Sequence, residues 1–372
     1  MFDGIPKEAD LQRFFAYARR VKILGEYWAW CMPLTAPLCR AHSDVYIVLS
    51  ALLQGRPLLP NVKHICYTRM ASVPSDVFRA FDILLGPTLR SLIIESFRGE
   101  DQDYKSPALA QRDINFGPLS CEETTFKRML AQLAERAPHL ESLKLNIPPN
   151  RAATPCTMSA GFYNLVSLRL CEGCLPLGPD AFAHLGTLPR LQKLYMSTRS
   201  SSWEHEGPAA PAHSLFPALT RLDATVGGTL SLPAKLLACV SSPHLKMLSL
   251  EVENDVPRWE IDSLFAVLTA MPARDCLASL YITVRNVFHT SNMDTVYIAP
   301  GRRTRAPDPI GEATLAPLTA LRGVEVMNLD IHCPFDVDDA LLERLGAAWP
   351  TITHLILGTR TPWSIWPGYD IR

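Results

Sequence analysis

The apolar positions of the chain recur in one short phrase. Pro138-His139-Leu140-Glu141-Ser142-Leu143-Lys144-Leu145 reads proline, any residue, apolar, any two, apolar, any, apolar. The segments opening at Pro189 and Pro243 follow the same rule. Seven segments keep the proline, those opening at Pro60, Pro87, Pro138, Pro189, Pro217, Pro243 and Pro350. Three more, 165–170, 277–282 and 326–331, keep the apolar positions without it, and Val21-Lys22-Ile23-Leu24 reads as a worn first copy. Side chains alternate along a strand with period two, so the last two apolar residues share one face and the residues between them point the other way. Proline stands before the strand, where its missing N–H breaks no ladder bond.

The first apolar residue of each copy falls at 62, 89, 140, 165, 191, 219, 245, 277, 326 and 352. Most steps are near 26 residues, and two are near twice that. The spacers carry helical stripes: Val45, Val48, Leu49 and Leu52 after Ser43; Val77, Phe78, Phe81, Leu84 and Leu85 after Ser75; Phe126, Met129, Leu130 and Leu133 after Ser120. Later stripes are Leu232, Leu236, Leu237 and Val240; Leu264, Phe265, Leu268 and Met271; Leu341, Leu342 and Leu345. Strand, loop and helix every 26 residues lie inside the leucine-rich-repeat range of roughly 20–29. Right-handed crossovers put parallel strands on one side and helices on the other. The expected fold is an α/β leucine-rich-repeat solenoid, a curved horseshoe with strands on the concave face and helices on the convex face. Residues 1–372 read as a single solenoid of about 10–12 repeats. Insertions rich in turn-forming residues interrupt it near 99–118, 197–216 and 287–314.

Length alone, 372 residues, would suggest two or more compact domains. A repeat array escapes that expectation because it grows along one axis without enlarging its core. Hydrophobic residues make up 48% and charged residues 20%, which excludes broad disorder. A formal net charge of -1 gives no basic excess for nucleic acid or a polybasic membrane contact. The start has no charged and then apolar leader, and the apolar run from Tyr46 to Leu53 is far too short to span a bilayer. A cytoplasmic or nuclear protein is expected, its ten cysteines reduced and mostly buried.

Candidate chemistry changes this picture little. Cys171-Glu172-Gly173-Cys174 offers two thiolates, but a zinc site needs four ligands and no second pair lies nearby. The turn leaving a repeat strand accounts for these cysteines. Asp336, Asp338, Asp339 and Glu343 lack the glycine and spacing of a calcium loop and suit the start of a helix. His139 and His244 fall in turns that lead into strands. No phosphate loop, HExxH or GxSxG pattern is present, so no catalytic residue, metal or cofactor is assigned and the chain is read as non-catalytic.

What remains is the open face of the strands. The third and fifth positions of each copy are Ser142 and Lys144, Ser167 and Arg169, Lys193 and Tyr195, Arg221 and Asp223, Met247 and Ser249, Ser279 and Tyr281, Asn328 and Asp330, and His354 and Ile356. Arg and Tyr are enriched among interface hot spots. Lys144, Arg169, Lys193, Tyr195, Arg221, Asp223 and Tyr281 are therefore the candidate residues for binding a protein partner.

Two stretches add a resemblance. Leu11-Gln12-Arg13-Phe14-Phe15-Ala16-Tyr17-Ala18-Arg19-Arg20-Val21 resembles the segment that follows the F-box in F-box leucine-rich-repeat proteins of mushroom-forming fungi. Cys333-Pro334-Phe335-Asp336-Val337-Asp338-Asp339-Ala340-Leu341-Leu342, with Ala348-Trp349-Pro350 and the last repeat, is similar to their C-terminal signature. The resemblance implies a division of labour in which the F-box docks on the Skp-type adaptor of a ubiquitin ligase and the repeats hold the substrate. No Leu-Pro-rich F-box opening stands before Val21, so the chain is expected to be either the repeat portion of a longer protein or a relative that lost the adaptor-binding part. A Skp-type adaptor is expected as a partner only if an F-box lies upstream; a repeat scaffold or inhibitor unconnected with ubiquitin is the alternative, and an unrecognised enzyme the remote one.

Overall fold

The computed structural model describes residues 8–25, 43–69, 81, 83–96, 123–146, 161–170, 179–198, 215–227, 229–252, 256–284, 309–331 and 333–358. The chain divides into two compact units. The first holds Met1–Leu177 with Leu188–Leu191, and the second holds Gly178–Thr187 with Gln192–Arg372.

In the first unit the strands run β1 (Ile23–Gly25), β2 (His64–Arg69), β3 (Ser91–Ser96), β4 (Ser142–Asn146) and β5 (Ser167–Leu170). Each pairs in parallel with the next in chain order. Helices α1 (Glu8–Ala18), α2 (Ser43–Leu53) and α3 (Glu123–Arg136) belong to the same unit. The second unit opens with α4 (Pro179–Gly186) and continues through β6 (Lys193–Thr198), β7 (Arg221–Val226), α5 (Ser231–Ala238), β8 (Met247–Val252), α6 (Arg258–Ala270) and β9 (Ser279–Val284). It closes with α7 (Glu312–Leu315), a 3-10 turn (Ala316–Ala320), β10 (Val326–Asp330), α8 (Asp339–Ala348) and β11 (His354–Leu357). Its strands too pair in parallel and in chain order. Parallel neighbours need a crossover of a dozen or more residues, which is what the repeat spacing supplies. The fold is an α/β solenoid.

The repeat phrase explains each strand. In the phrase at Pro138, Leu140, Leu143 and Leu145 are buried, while Ser142 and Lys144 between them are half-buried. Strands β7, β8 and β9 alternate in the same way over six residues each. The inner helix stripes complete the core: Leu232, Leu236, Leu237 and Val240, then Leu264, Phe265, Leu268 and Met271, are all buried. Leu342, expected in the stripe of α8, is instead 43% exposed; only Leu341 and Leu345 of that trio face inward. Asp338 caps α8, its side chain accepting from Leu341 N–H at 2.8 Å, so acid at the helix start satisfies an orphan donor. The Ser75 stripe is described only at its end, where Phe81 and Leu85 are buried.

The proline has a sharper role than avoiding a ladder bond. In six of its seven copies the first apolar N–H bonds the carbonyl of the residue before proline, as in Leu89 to Gly86 and Leu140 to Ala137. Proline thus occupies the second position of a four-residue turn, where its fixed φ is already correct. Next, one carbonyl per repeat accepts two N–H groups of the following repeat. Arg90 O takes Glu141 N at 2.8 Å and Ser142 N at 2.9 Å, and Lys246 O takes Ala278 N and Ser279 N. This pairing sets register before the strand begins. Lys22 O accepts from Lys63 and His64 in the same manner, so Val21 does open a first copy.

The pairing also corrects one register. Ala278 O accepts from Glu325 N and Val326 N, and Val326 pairs with Ser279. The tenth copy therefore begins at Val324, two residues before the expected Val326. Met327 and Leu329 point inward, Asn328 stays on the open face, and Asp330, expected to be open, is only 6% exposed. The stretch 324–331 fits the apolar rule in both registers, and the choice falls to the one in which Val324 fills the core.

Two of the three expected insertions reach described residues. Leu215 forms a bridge to Val240, and the Phe216 ring packs at a tilt against Phe182 with ring centroids 4.8 Å apart. Ile310 bridges to Phe335 and is buried, as is Leu315. Phe216 holds φ at 57°, a left-handed conformation costly for a bulky residue, and its packing and its N–H bond to Gly186 O at 2.7 Å hold it there. The stretch 99–118 and Cys171 with Cys174 lie outside the described residues.

Candidate partner-binding face

Because strands β3 to β10 bury their fourth and sixth phrase positions, the third and fifth form rows on the other side. In the first unit the fifth-position row is Cys66, Ile93, Lys144 and Arg169, neighbours in register. Lys144 and Arg169 thus stand directly opposite one another on β4 and β5, with Lys144 half-buried and Arg169 exposed. Like charges so placed repel by a few tenths of a kcal/mol to about 1 kcal/mol.

In the second unit the third-position row runs Lys193, Arg221, Met247, Ser279, Val326 and His354. The fifth-position row runs Tyr195, Asp223, Ser249, Tyr281, Asn328 and Ile356. Here three of the sequence-predicted residues meet. Arg221 Nε donates to Asp223 Oδ2 at 2.6 Å and Nη2 to Oδ1 at 3.4 Å. The same guanidinium lies 4.9 Å from the centroid of the Tyr195 ring. The Asp223 hydrogen bond raises the Arg221 pKa above its ordinary value; burial opposes it, and Asp223, Tyr195 and Tyr281 add to it through charge. The charged form of Arg221 is thereby favoured, and a cation, a carboxylate and a ring are held in one unit. Lys193 sits beside it in register, and Tyr281 lies two strands beyond Asp223 in the same row.

Sequence reasoning treated the basic residues as one row of like character. The structure separates them: Arg221 is paired with Asp223 within the face of the second unit, and Lys144 and Arg169 stand opposite one another in the first. The reasoning also passed over the seventh positions, Thr225, Glu251 and Thr283, and the amide of Asn328. The Asn328 Oδ1 atom is buried and accepts no hydrogen bond. Only three-dimensional register reveals that, since an Asn at this place in one sequence carries no pattern.

Among the described residues no group of three or more His, Cys, Asp and Glu is placed to hold a metal ion, and no helix is long and apolar enough to cross a membrane.

No family model and no curated protein matches the chain. Among solved structures, it is similar to one described as the crystal structure of Rad7 and Elc1 complex in yeast. Identity is 14%, the match covers 95% of this chain and 84% of that one, and the TM-score is 0.37. At that score the assignment of fold rests on this chain's own strand register and burial.

Proposed function

We propose that this chain is a non-catalytic protein-binding repeat module whose open strand face holds a protein partner, in the manner of the substrate-binding repeats of F-box proteins. The observation that carries this reading is the Tyr195–Arg221–Asp223 unit. Its three side chains do no work in the core, yet they are held in one geometry by a two-point ion pair and a ring contact. Side chains ordered before binding lose less entropy when a partner arrives. Arg and Tyr are also the residues that dominate binding energy at interfaces. Linkage to a Skp-type adaptor belongs to the same reading only where an F-box precedes these repeats.

The test is quantitative affinity purification of the full chain from its native cell, against a Lys144→Glu, Arg169→Glu, Lys193→Glu variant. Arg221 is left alone, because a carboxylate there would face Asp223 and confuse folding with binding. The reading expects stable partners with the parent and recovery reduced at least tenfold with the variant, at unchanged thermal stability. Equal recovery from both would overturn it. Co-purifying adaptor and cullin subunits support the ubiquitin-ligase form, and stable partners without them support a scaffold or inhibitor.

A further inference from the structure

The second position of each phrase follows its first apolar residue, and in the first three copies it is Lys22, Lys63 and Arg90. The backbone brings these cations side by side. Lys63 N donates to Lys22 O at 2.7 Å and Arg90 N to Lys63 O at 2.8 Å, so they open three adjacent strands about 4.8 Å apart. Arg19 and Arg20 stand in the turn that joins α1 to β1, and Asn61 Nδ2 donates to Arg19 O at 2.7 Å, tying that turn to the second copy. All five cations are exposed. Arg90 pairs with Glu141 at 2.8 Å, whereas Arg19, Arg20, Lys22 and Lys63 have no acidic partner among the described residues. The acids of α1 and α2, Glu8, Asp10 and Asp44, fall in the first turns of helices that run back toward the strand starts, so they stand at the opposite end. Like charges on neighbouring strands repel, and together they set a field that draws an anion to this rim.

The adjoining strand is open as well. Among the described strands β1 pairs only with β2, and Ile23, Leu24 and Gly25 are all exposed. Leu24 holds the fourth position, where Ile65 and Leu92 are buried, yet it is 36% exposed; Ile23 is 63% exposed. Because Lys22 O faces β2, alternation turns the N–H and C=O of Ile23 toward the free edge. At the end of α1 the Arg20 guanidinium lies 5.7 Å from the centroid of the exposed Tyr17 ring. We propose that β1 and the end of α1 dock an extended acidic segment of a protein partner, added as a strand to the free edge of β1. Its main chain bonds Ile23, its apolar residues cover Ile23 and Leu24, and its carboxylates meet Arg20, Lys22 and Lys63. A lipid surface or a nucleic acid matches the charge but has no peptide ladder to offer the edge. The site uses none of the residues assigned to the strand face above, so the two readings stand or fall separately.

The experiment is selection of a phage-displayed random peptide library on the purified full chain, counter-selected on an Arg20→Glu, Lys22→Glu, Lys63→Glu variant. Peptides specific to the parent are expected to carry several Asp or Glu residues with apolar residues between them. Their affinity, read by fluorescence polarisation, should fall about tenfold or more in the variant at an unchanged thermal midpoint. Ile23→Pro removes the outward N–H without breaking a bond to β2, and should weaken the same peptides about tenfold or more. The charge-reversed variant should itself enrich Lys or Arg peptides, a gain that unfolding cannot imitate. The proposal is overturned if no peptide separates parent from variant, if those that do lack acids, or if Ile23→Pro leaves their binding unchanged. It is equally overturned if a labelled single-stranded RNA or phosphatidylserine vesicles bind the parent tighter than any peptide and lose that binding in the variant. None of these outcomes touches the strand-face reading, which the affinity purification judges through Lys144, Arg169 and Lys193.

Discussion

Arg221 and Asp223 are two residues apart on one strand and on one face, so their ion pair needs no other element to bring them together. Side-chain exposures of 36% and 22% place the pair between an exposed bridge and a buried one. A double-mutant cycle with Arg221→Ala and Asp223→Ala is expected to give a coupling near 1 kcal/mol, small because water still screens the charges. A coupling near zero would mean that the pair is not held as described. Glu260 is the opposite case. It is 4% exposed, and its carboxylate accepts from Leu230 N–H at 2.6 Å, capping the start of α5 from α6. Burial pushes its pKa above the ordinary value near 4.5, while hydrogen bonds from the backbone of Leu230 and Ser231 pull it partly back. The folded chain then keeps this proton to a higher pH than the unfolded chain. In the window above 4.5, up to the raised pKa, the folded state binds more protons and stability falls as pH rises. Glu260→Gln retains an acceptor for Leu230 and removes this titration. Urea unfolding from about pH 4 to about pH 7 should show the variant gaining on the parent as pH rises. Parallel curves would contradict the assignment.

At the scale of the element, repeats are joined by polar staples as well as by apolar contact. Thr88 Oγ1 donates within 2.9 Å of Pro60 O and Val62 O, Asn164 Nδ2 donates to Pro138 O at 2.9 Å, and Thr351 Oγ1 donates to Val324 O at 3.1 Å. Each lies just before the first apolar residue of its copy and reaches back into the previous turn. Trp349 Nε1 does the same to Leu318 O at 3.1 Å from a fully buried ring. Asn164→Leu should therefore cost about 1 kcal/mol although the residue is polar and near the surface. Leu143→Ala, which empties a site with 0% exposure, should cost about 2–5 kcal/mol. Ser142→Ala, its neighbour on the open face, should stay within about 0.5 kcal/mol. Chemical denaturation of the three variants checks this order; a larger loss from Ser142→Ala than from Leu143→Ala would place the core on the wrong face. These staples were not legible in the sequence, because Asn and Thr before a hydrophobic residue are common and nothing marks their distant acceptor. The apolar phrase was legible because Leu140, Leu143 and Leu145 obey one rule that nine other copies repeat. That rule failed where it was satisfied twice, at Val324 and Val326, and there backbone pairing decided.

For the whole molecule, architecture and the proposed function use different residues of the same phrase. The apolar positions make the α/β solenoid, and they leave the third, fifth and seventh positions open to vary. That is why fold could be read from periodicity while the contact of Arg221 with the Tyr195 ring could not: it depends on which variable residues become neighbours across strands. The central claim is that the open strand face, and not the helices, carries the partner. Site-directed photocrosslinking tests it most directly, with a benzoylphenylalanine placed in turn at Ser167, Ser249 and Ser279 on the strands and at Asp262 and Glu343 on the exposed side of the helices. The expected result is a discrete crosslinked protein from the strand positions in native cells and none from the helix positions. Crosslinks from Asp262 and Glu343 with none from the three serines would contradict the claim.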